Sequence, residues 1–247
     1  MTKFVVFTTP RTGSSLLIKS LDAHPEVFCA GELFFFKGDI YHNECRYHFL
    51  RLPVGNKLNY LINYPKIFLS LKSFLNKFFN SNTKGEKAKG FKLMHFQTFY
   101  TPGIFDYLKN NKVKVIVLIR KNVLRNTLSD LRARATKVYH NEQGSQNNIP
   151  KFNVNLEELG NKMKQIEGFN IQLEKAAKNF DHKIVYYEDF ENWDATISGI
   201  LQYINVKDIP LHAASKKLNP EKLSDMIANY DEFSGWIANN GYNKYID

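Results

Sequence analysis

Lys3-Phe4-Val5-Val6-Phe7-Thr8-Thr9-Pro10-Arg11-Thr12-Gly13-Ser14-Ser15-Leu16-Leu17 stands at the start of the chain and decides how the rest is read. Residues 3–7 are mostly β-branched or aromatic, the composition of a short buried strand. Proline, glycine and small hydroxyl residues follow, and Leu16, Leu17, Ile18 and Leu21 then begin a helical stripe. Strand, small-residue loop and helix together aim unpaired backbone N–H groups and the positive end of a helix dipole at an anion. Arg11 adds a fixed positive charge, and Ser14 and Ser15 add hydroxyl donors. The stretch reads as a phosphate- or sulfate-binding loop. The plainer alternative is a strand-to-helix turn in which Ser and Thr serve only as caps.

Length and composition bound the rest. A chain of 247 residues can bury a substantial core, as one large domain or a domain with insertions. The net charge of +10 suits an anionic ligand, a nucleic acid or an anionic membrane surface. Its basic residues are spread along the chain rather than run together, which weighs against nucleic acid. Cys29 and Cys45 form neither a CxxC pair nor a zinc-site spacing, so no metal is expected and a reducing, cytoplasmic setting is. No signal peptide and no membrane span is indicated.

Outward from the opening loop, the first helix is expected from Ser14 to Ala23, stopped by His24-Pro25. Glu32 then interrupts an apolar passage that includes Cys29, Leu33 and Phe34. A carboxylate so placed is a candidate general base, or else a surface residue at a turn. Ile67, Phe68, Leu71, Phe74, Leu75, Phe78 and Phe79 recur at helical spacing, with Lys66, Lys72 and Lys77 outside the stripe. That stripe covers a core or contacts a membrane surface. Residues 80–89 read as a mobile polar loop, and strand character resumes at Gly90-Phe91-Lys92-Leu93-Met94-His95-Phe96. Lys92 and His95 lie near that strand's end, where open α/β sheets place catalytic groups. Lys112 to Ile119 is the clearest buried strand, and it ends in Arg120-Lys121-Asn122 before a further helix. This is a second anion-binding corner, with Asn122 as N-cap. A flexible loop (140–153), a long helix (156–180), a strand (183–187) and a helix (195–204) complete the alternation. The expected fold class is α/β, three layers around a central, mainly parallel sheet.

Nucleotide kinases need GxxxxGK[ST], with a lysine on the β/γ-phosphates and a hydroxyl on magnesium. Here Ser14-Ser15 stands where that pair would be, and the strand ends in Arg120 where such enzymes often place a magnesium-binding Asp. Together the motifs resemble the sulfotransferases that use 3′-phosphoadenosine 5′-phosphosulfate, with the closest likeness to bacterial carbohydrate-type and tyrosylprotein-type members. Pro10 to Leu17 is similar to that family's 5′-phosphosulfate loop, and Ile119-Arg120-Lys121-Asn122-Val123-Leu124-Arg125-Asn126-Thr127-Leu128-Ser129 to its 3′-phosphate motif. Leu21-Asp22-Ala23-His24-Pro25, Gly31-Glu32, Gly90-Phe91-Lys92 and Tyr187-Glu188-Asp189-Phe190 extend the likeness in order from residue 4 to about 205.

The resemblance implies a P-loop-like sulfotransferase domain over 1–247, with an acceptor-side insertion at about 37–90 and a mobile loop at about 140–155. It implies that Arg11 holds the sulfate and bridging oxygen, with Thr12, Gly13, Ser14, Ser15 and Leu16 around the 5′-phosphate. Arg120 and Ser129 would bind the 3′-phosphate. Their interval is one residue longer than the family's usual one, which makes Lys121 an alternative or additional partner. Lys216 and Lys217 would close over the nucleotide. Glu32 occupies the place of the base, His95 is the alternative base, and Lys92 supports the leaving phosphate. The implied reaction is sulfuryl transfer to a hydroxyl of a carbohydrate, glycolipid or other small acceptor. Peripheral membrane contact and the oligomeric state stay open. The competing readings are a non-catalytic anion- or nucleotide-binding protein and a P-loop kinase.

Overall fold

The computed structural model describes residues 1–34, 57–81, 84–99, 101–136, 150–213 and 222–246, with only the backbone at 57–63. Strands β1 (Thr2–Thr8), β2 (Val27–Glu32), β3 (Ala88–Met94), β4 (Lys114–Ile119) and β5 (His182–Tyr186) form one sheet in the order β2-β3-β1-β4-β5. Every pairing is parallel. The expected α/β class with a parallel central sheet is the one observed.

The helices are α1 (Ser14–Asp22), α2 (Lys57–Asn80), α3 (Ile104–Asn110), α4 (Val123–Thr136), α5 (Leu156–Ala177), α6 (Trp193–Tyr203), α7 (Leu223–Met226) and α8 (Tyr230–Asn239). Parallel strands covered on both faces carry near-continuous apolar runs, because successive side chains enter opposite cores. In β1, Val5 and Phe7 join Leu71, Leu75 and Phe79 of α2, Tyr107 of α3 and Leu173 of α5. Phe4 and Val6 join Leu17 and Leu21 of α1 and Ile197 and Ile200 of α6 on the other face. A third cluster packs α4 and the start of α5 against α7 and α8.

The apolar stripe of α2 faces this core, with Ile67, Leu71, Leu75, Phe78 and Phe79 buried and Lys66, Lys72 and Lys77 exposed. Covering a core, one of the sequence readings of this stripe, is observed. The end of the stretch expected to be a mobile loop belongs to the core as well. Strand β3 begins at Ala88, so Lys89 is drawn inside, where its Nζ pairs with the buried Glu86 at 3.0 Å and lies 4.7 Å from the Phe28 ring centroid. Burial of that lysine is compatible with charge only because it is paired.

Gly90 sits opposite Phe4 in the β1–β3 register. A Cβ at Gly90 would lie 2.5 Å from the fully buried Phe4 ring, so the glycine is required for the approach of a phenyl ring rather than for backbone freedom. Gly90→Ala should lower stability by about 1–3 kcal/mol through overpacking, seen as a lower urea midpoint with unchanged m.

Candidate active site

The chain lays β2 and β3 on one side of β1 and β4 and β5 on the other, so the sheet's order reverses beside β1. Crevices at the carboxyl ends of strands at such a reversal are where open α/β sheets bind ligands. The loop after β1 and the corner after β4 both open there.

Two left-handed residues shape the first loop, Arg11 at φ +63° and Gly13 at φ +79°. A non-glycine in that region costs about 1–2 kcal/mol, strain of the kind that collects at ligand-binding loops. The Thr8 hydroxyl donates to the Leu118 carbonyl at 2.8 Å and the Thr12 hydroxyl to the Thr9 carbonyl at 3.0 Å. Those two hydroxyls therefore hold the loop's shape. Gly13 is the N-cap of α1 and provides no capping side chain. The N–H groups of Ser14, Ser15 and Leu16 thus stand at an uncapped helix start, as the sequence reading required. Gly13 is also hemmed in, since a Cβ there would lie 2.6 Å from the Tyr187 ring.

The second motif meets the first. Arg11 Nε donates to Ser129 Oγ at 3.0 Å, and Arg120 Nη1 donates to the Arg11 carbonyl at 3.3 Å. Arg120 lies 4.4 Å from the Tyr187 ring centroid. Lys121 Nζ lies 3.7 Å from the Tyr186 ring centroid. Asn122 caps α4 as expected, its side chain accepting from Arg125 N at 2.8 Å. Glu188 accepts from the backbone N–H groups of Lys121 and Asn122 at 3.1 and 3.0 Å. The Tyr187–Phe190 motif thus ties the two loops together by a ring and a carboxylate, a role that sequence alone did not assign.

Burial, reinforced by Arg125 and Arg11, pushes Arg120 below its ordinary value, while Tyr187 and Glu188 push it back up. An arginine stays protonated in a protein, so this is the signature of a buried cation short of negative charge. Arg120 Nε and Asn170 Oδ1 are buried without a hydrogen-bond partner among the described residues, as are Thr9 Oγ1 in the first loop and Asn126 Nδ2 in α4. Asn170 belongs to this corner, since its Nδ2 donates to the Arg120 carbonyl at 3.3 Å. Arg120 Nε is thus a donor with capacity for a ligand. The donors and cations suit a phosphate-bearing one.

Glu32 reaches the same edge through a bulge. Ala30 pairs with Phe91, but Glu32 rather than Gly31 pairs with Lys92. Strict alternation would send Glu32 to the Ala30 face of the sheet; the extra residue returns it to the Lys92 face. Lys92 Nζ lies 2.9 Å from Glu32 Oε1, and Gln97 Nε2 donates to Glu32 Oε2 at 2.8 Å. Sequence reading missed Gln97, which lies in the 3₁₀ turn His95–Phe99 and carries no motif.

His95 is brought to this edge but not into that network. Its ring packs against Phe7, Phe99 and Phe169, with centroids 6.3, 5.3 and 4.7 Å away, and its Nδ1 has no partner among the described residues. Burial lowers its pKa, partly offset by the Gln172 side chain. Lys216 and Lys217 lie outside the described residues. Among the described residues no group of three His, Cys, Asp or Glu could hold a metal ion. No helix among them is long and apolar enough to cross a membrane.

The His95 shift carries a sign. A histidine held neutral in the fold takes up a proton more readily when unfolded, so stability falls as pH drops below about 6.5. His95→Phe, which keeps an aromatic ring among Phe7, Phe99 and Phe169, should lose less stability than wild type between about pH 7.5 and pH 5.5 in urea titrations.

No protein-family model matches the chain. Over 251 residues, 99% of this chain and 92% of the relative, the sequence is 22% identical to Nodulation protein H of Rhizobium tropici. In three dimensions the chain matches a sulfotransferase from Alicyclobacillus acidocaldarius with a TM-score of 0.51, at 14% identity and over 100% of this chain and 97% of that one. The sheet that carries Arg11, Arg120 and Glu32 to one edge is therefore a sulfotransferase fold, and the sulfotransferase family is the one this chain resembles from end to end.

Proposed function

We propose that the protein is a sulfotransferase that moves the sulfuryl group of 3′-phosphoadenosine 5′-phosphosulfate to a hydroxyl of a carbohydrate, glycolipid or other small acceptor. The observation that carries the reading is the contact between its two phosphate motifs, Arg11 Nε to Ser129 Oγ at 3.0 Å, with the Glu32–Lys92 pair near the same end of the sheet. An enzyme that handles one nucleotide with a charged group at each end of its ribose needs two anion sites a single ligand can span. The orphaned donors around Arg120 supply a reason for the second.

In this reading the first-turn N–H groups of α1 hold the 5′-phosphate. Arg120 and Ser129 take the 3′-phosphate, and the position of Lys121 against Tyr186 favours Arg120 as the main ligand. The acceptor oxygen attacks sulfur in line as the bond from sulfur to the bridging oxygen breaks. Glu32 takes the hydroxyl proton, and the leaving nucleotide keeps the bridging oxygen with its electron pair. Arg11 and Lys92 stabilise the charge that develops there, a task to which each well-placed donor contributes about 3 kcal/mol. Glu32 is preferred to His95 as base because it is paired with Lys92 and Gln97, whereas His95 is enclosed by aromatic rings. The kinase reading is disfavoured by the absence of a lysine–hydroxyl pair after Gly13.

Calorimetric titration with 3′-phosphoadenosine 5′-phosphate in excess chelator tests the nucleotide site. Wild type should bind in the micromolar range, and Arg120→Ala should bind roughly tenfold or more weakly, the loss of a charged hydrogen bond worth about 1.5–3 kcal/mol. Absence of binding by wild type would remove the reading. Glu32→Gln should retain nucleotide affinity and lose ~10²–10⁴-fold in turnover with a labelled sulfate donor. Near-normal turnover in that variant would move the base role to His95.

A further inference from the structure

Gln97 is a buried, doubly hydrogen-bonded amide at this edge that no motif accounts for. It is 1% exposed. Its Oε1 accepts the Met94 N–H at 2.9 Å, and its Nε2 donates to Glu32 Oε2 at 2.8 Å. Its own carbonyl accepts from the Thr101 hydroxyl at 2.9 Å, and Thr101 is equally buried. A backbone N–H can be met only by the oxygen of an amide, and a carboxylate only by its nitrogen. Both contacts therefore demand the same amide orientation, and a flip would break both at once.

We propose that Gln97 is the positioning residue of Glu32: it holds Oε2 with a neutral donor and so directs Oε1 to the proton. This inference builds on the sulfuryl-transfer reading. A carboxylate on a bulged strand has a free rotation about its last bond. One oxygen pinned by a buried amide removes that rotation. The other oxygen, Oε1, meets Lys92 on the neighbouring strand β3. Lys92 also faces the developing charge of the leaving group, so its attraction to Glu32 relaxes when the sulfuryl donor is in place. The oxygen it leaves is then the one aimed at the acceptor hydroxyl. A lysine alone would not choose between the two oxygens, since an ammonium can bridge both. The amide makes the choice because its second contact, to Met94 N, lies in the backbone of β3 itself.

The test uses Gln97→Ala and the isosteric Gln97→Glu. Gln97→Ala should lower kcat by about 10–100-fold, the loss that follows misplacement of a reacting group, with 3′-phosphoadenosine 5′-phosphate affinity unchanged within about twofold. In a Glu32→Gln background it should cost nothing further, because Gln97 acts through Glu32. Gln97→Glu puts a second carboxyl against Glu32, so the acidic limb of kcat/KM should rise by about one pH unit or more. The same change is read without turnover from the carbon-13 carboxyl titration of Glu32, identified by its absence in Glu32→Gln. An unmoved Glu32 titration in Gln97→Glu, or a full additional loss in the Glu32→Gln background, overturns the proposal. Where thermal melts show that Gln97→Ala does not fold, the Gln97→Glu titration decides alone. Failure of wild type to bind the nucleotide would count against the sulfuryl-transfer reading only, since the carboxyl titration still reports on Gln97.

Discussion

Strand β1 is hydrogen-bonded along both edges, to β3 on one side and β4 on the other, and everything else in the protein answers to that placement. A strand with neighbours on both sides and helices over both faces is shielded from water, so the side chains along its middle are apolar. Phe4, Val5 and Val6 are fully buried. Such a strand can change character only where it leaves the sheet. The residues after Thr8 therefore emerge at the reversal of strand order, between the ends of β3 and β4. The sharp turn through Arg11 and Gly13 and the abrupt start of α1 follow from that exit.

Electrostatics then give the edge its purpose. Arg11, Arg120 and Arg125 influence one another in a half-buried corner, and Glu188, whose oxygens accept from two backbone N–H groups, offsets them at Arg120. Like charges in a dry setting repel more strongly than they would in water. In the proposed function, a bound anion would relieve that repulsion. The aromatic support is part of this: Tyr187 lies under the Arg120 guanidinium and against Gly13, so one ring fixes the spacing of the two loops.

The other side of β1 supplies chemistry of a different kind. β2 is an edge strand, and an edge strand tolerates an extra residue more readily than a central one because only one ladder is disturbed. The irregularity at Gly31 is what turns Glu32 onto the face of Lys92. The arginine-lined corner and the paired carboxylate thus come from opposite sides of one central strand. The folded chain brings Gln97 to Glu32 on one side and Ser129 to Arg11 on the other.

Much of this was legible in the residues. The apolar runs of β1 and β4, the helical stripes of α1 and α2, the small-residue loop and the Asn122 cap are local patterns, and each has a period or composition that acts over a few residues. Arg11, Glu32, Lys92 and Arg120 could be singled out because charge at the end of an apolar strand is conspicuous. Tertiary structure alone decided the rest. The bulge at Gly31 depends on the register with β3, the burial of Lys89 on where that strand begins, the contact of Lys121 with the Tyr186 ring on the approach of β5, and the hydrogen bond of Gln97 on the distance to a carboxylate in another strand. A sequence fixes what each segment prefers by itself, because propensity and periodicity are short-ranged. Which oxygen meets which nitrogen across strands is settled only when the sheet closes, since register and face are properties of pairs of segments rather than of either one.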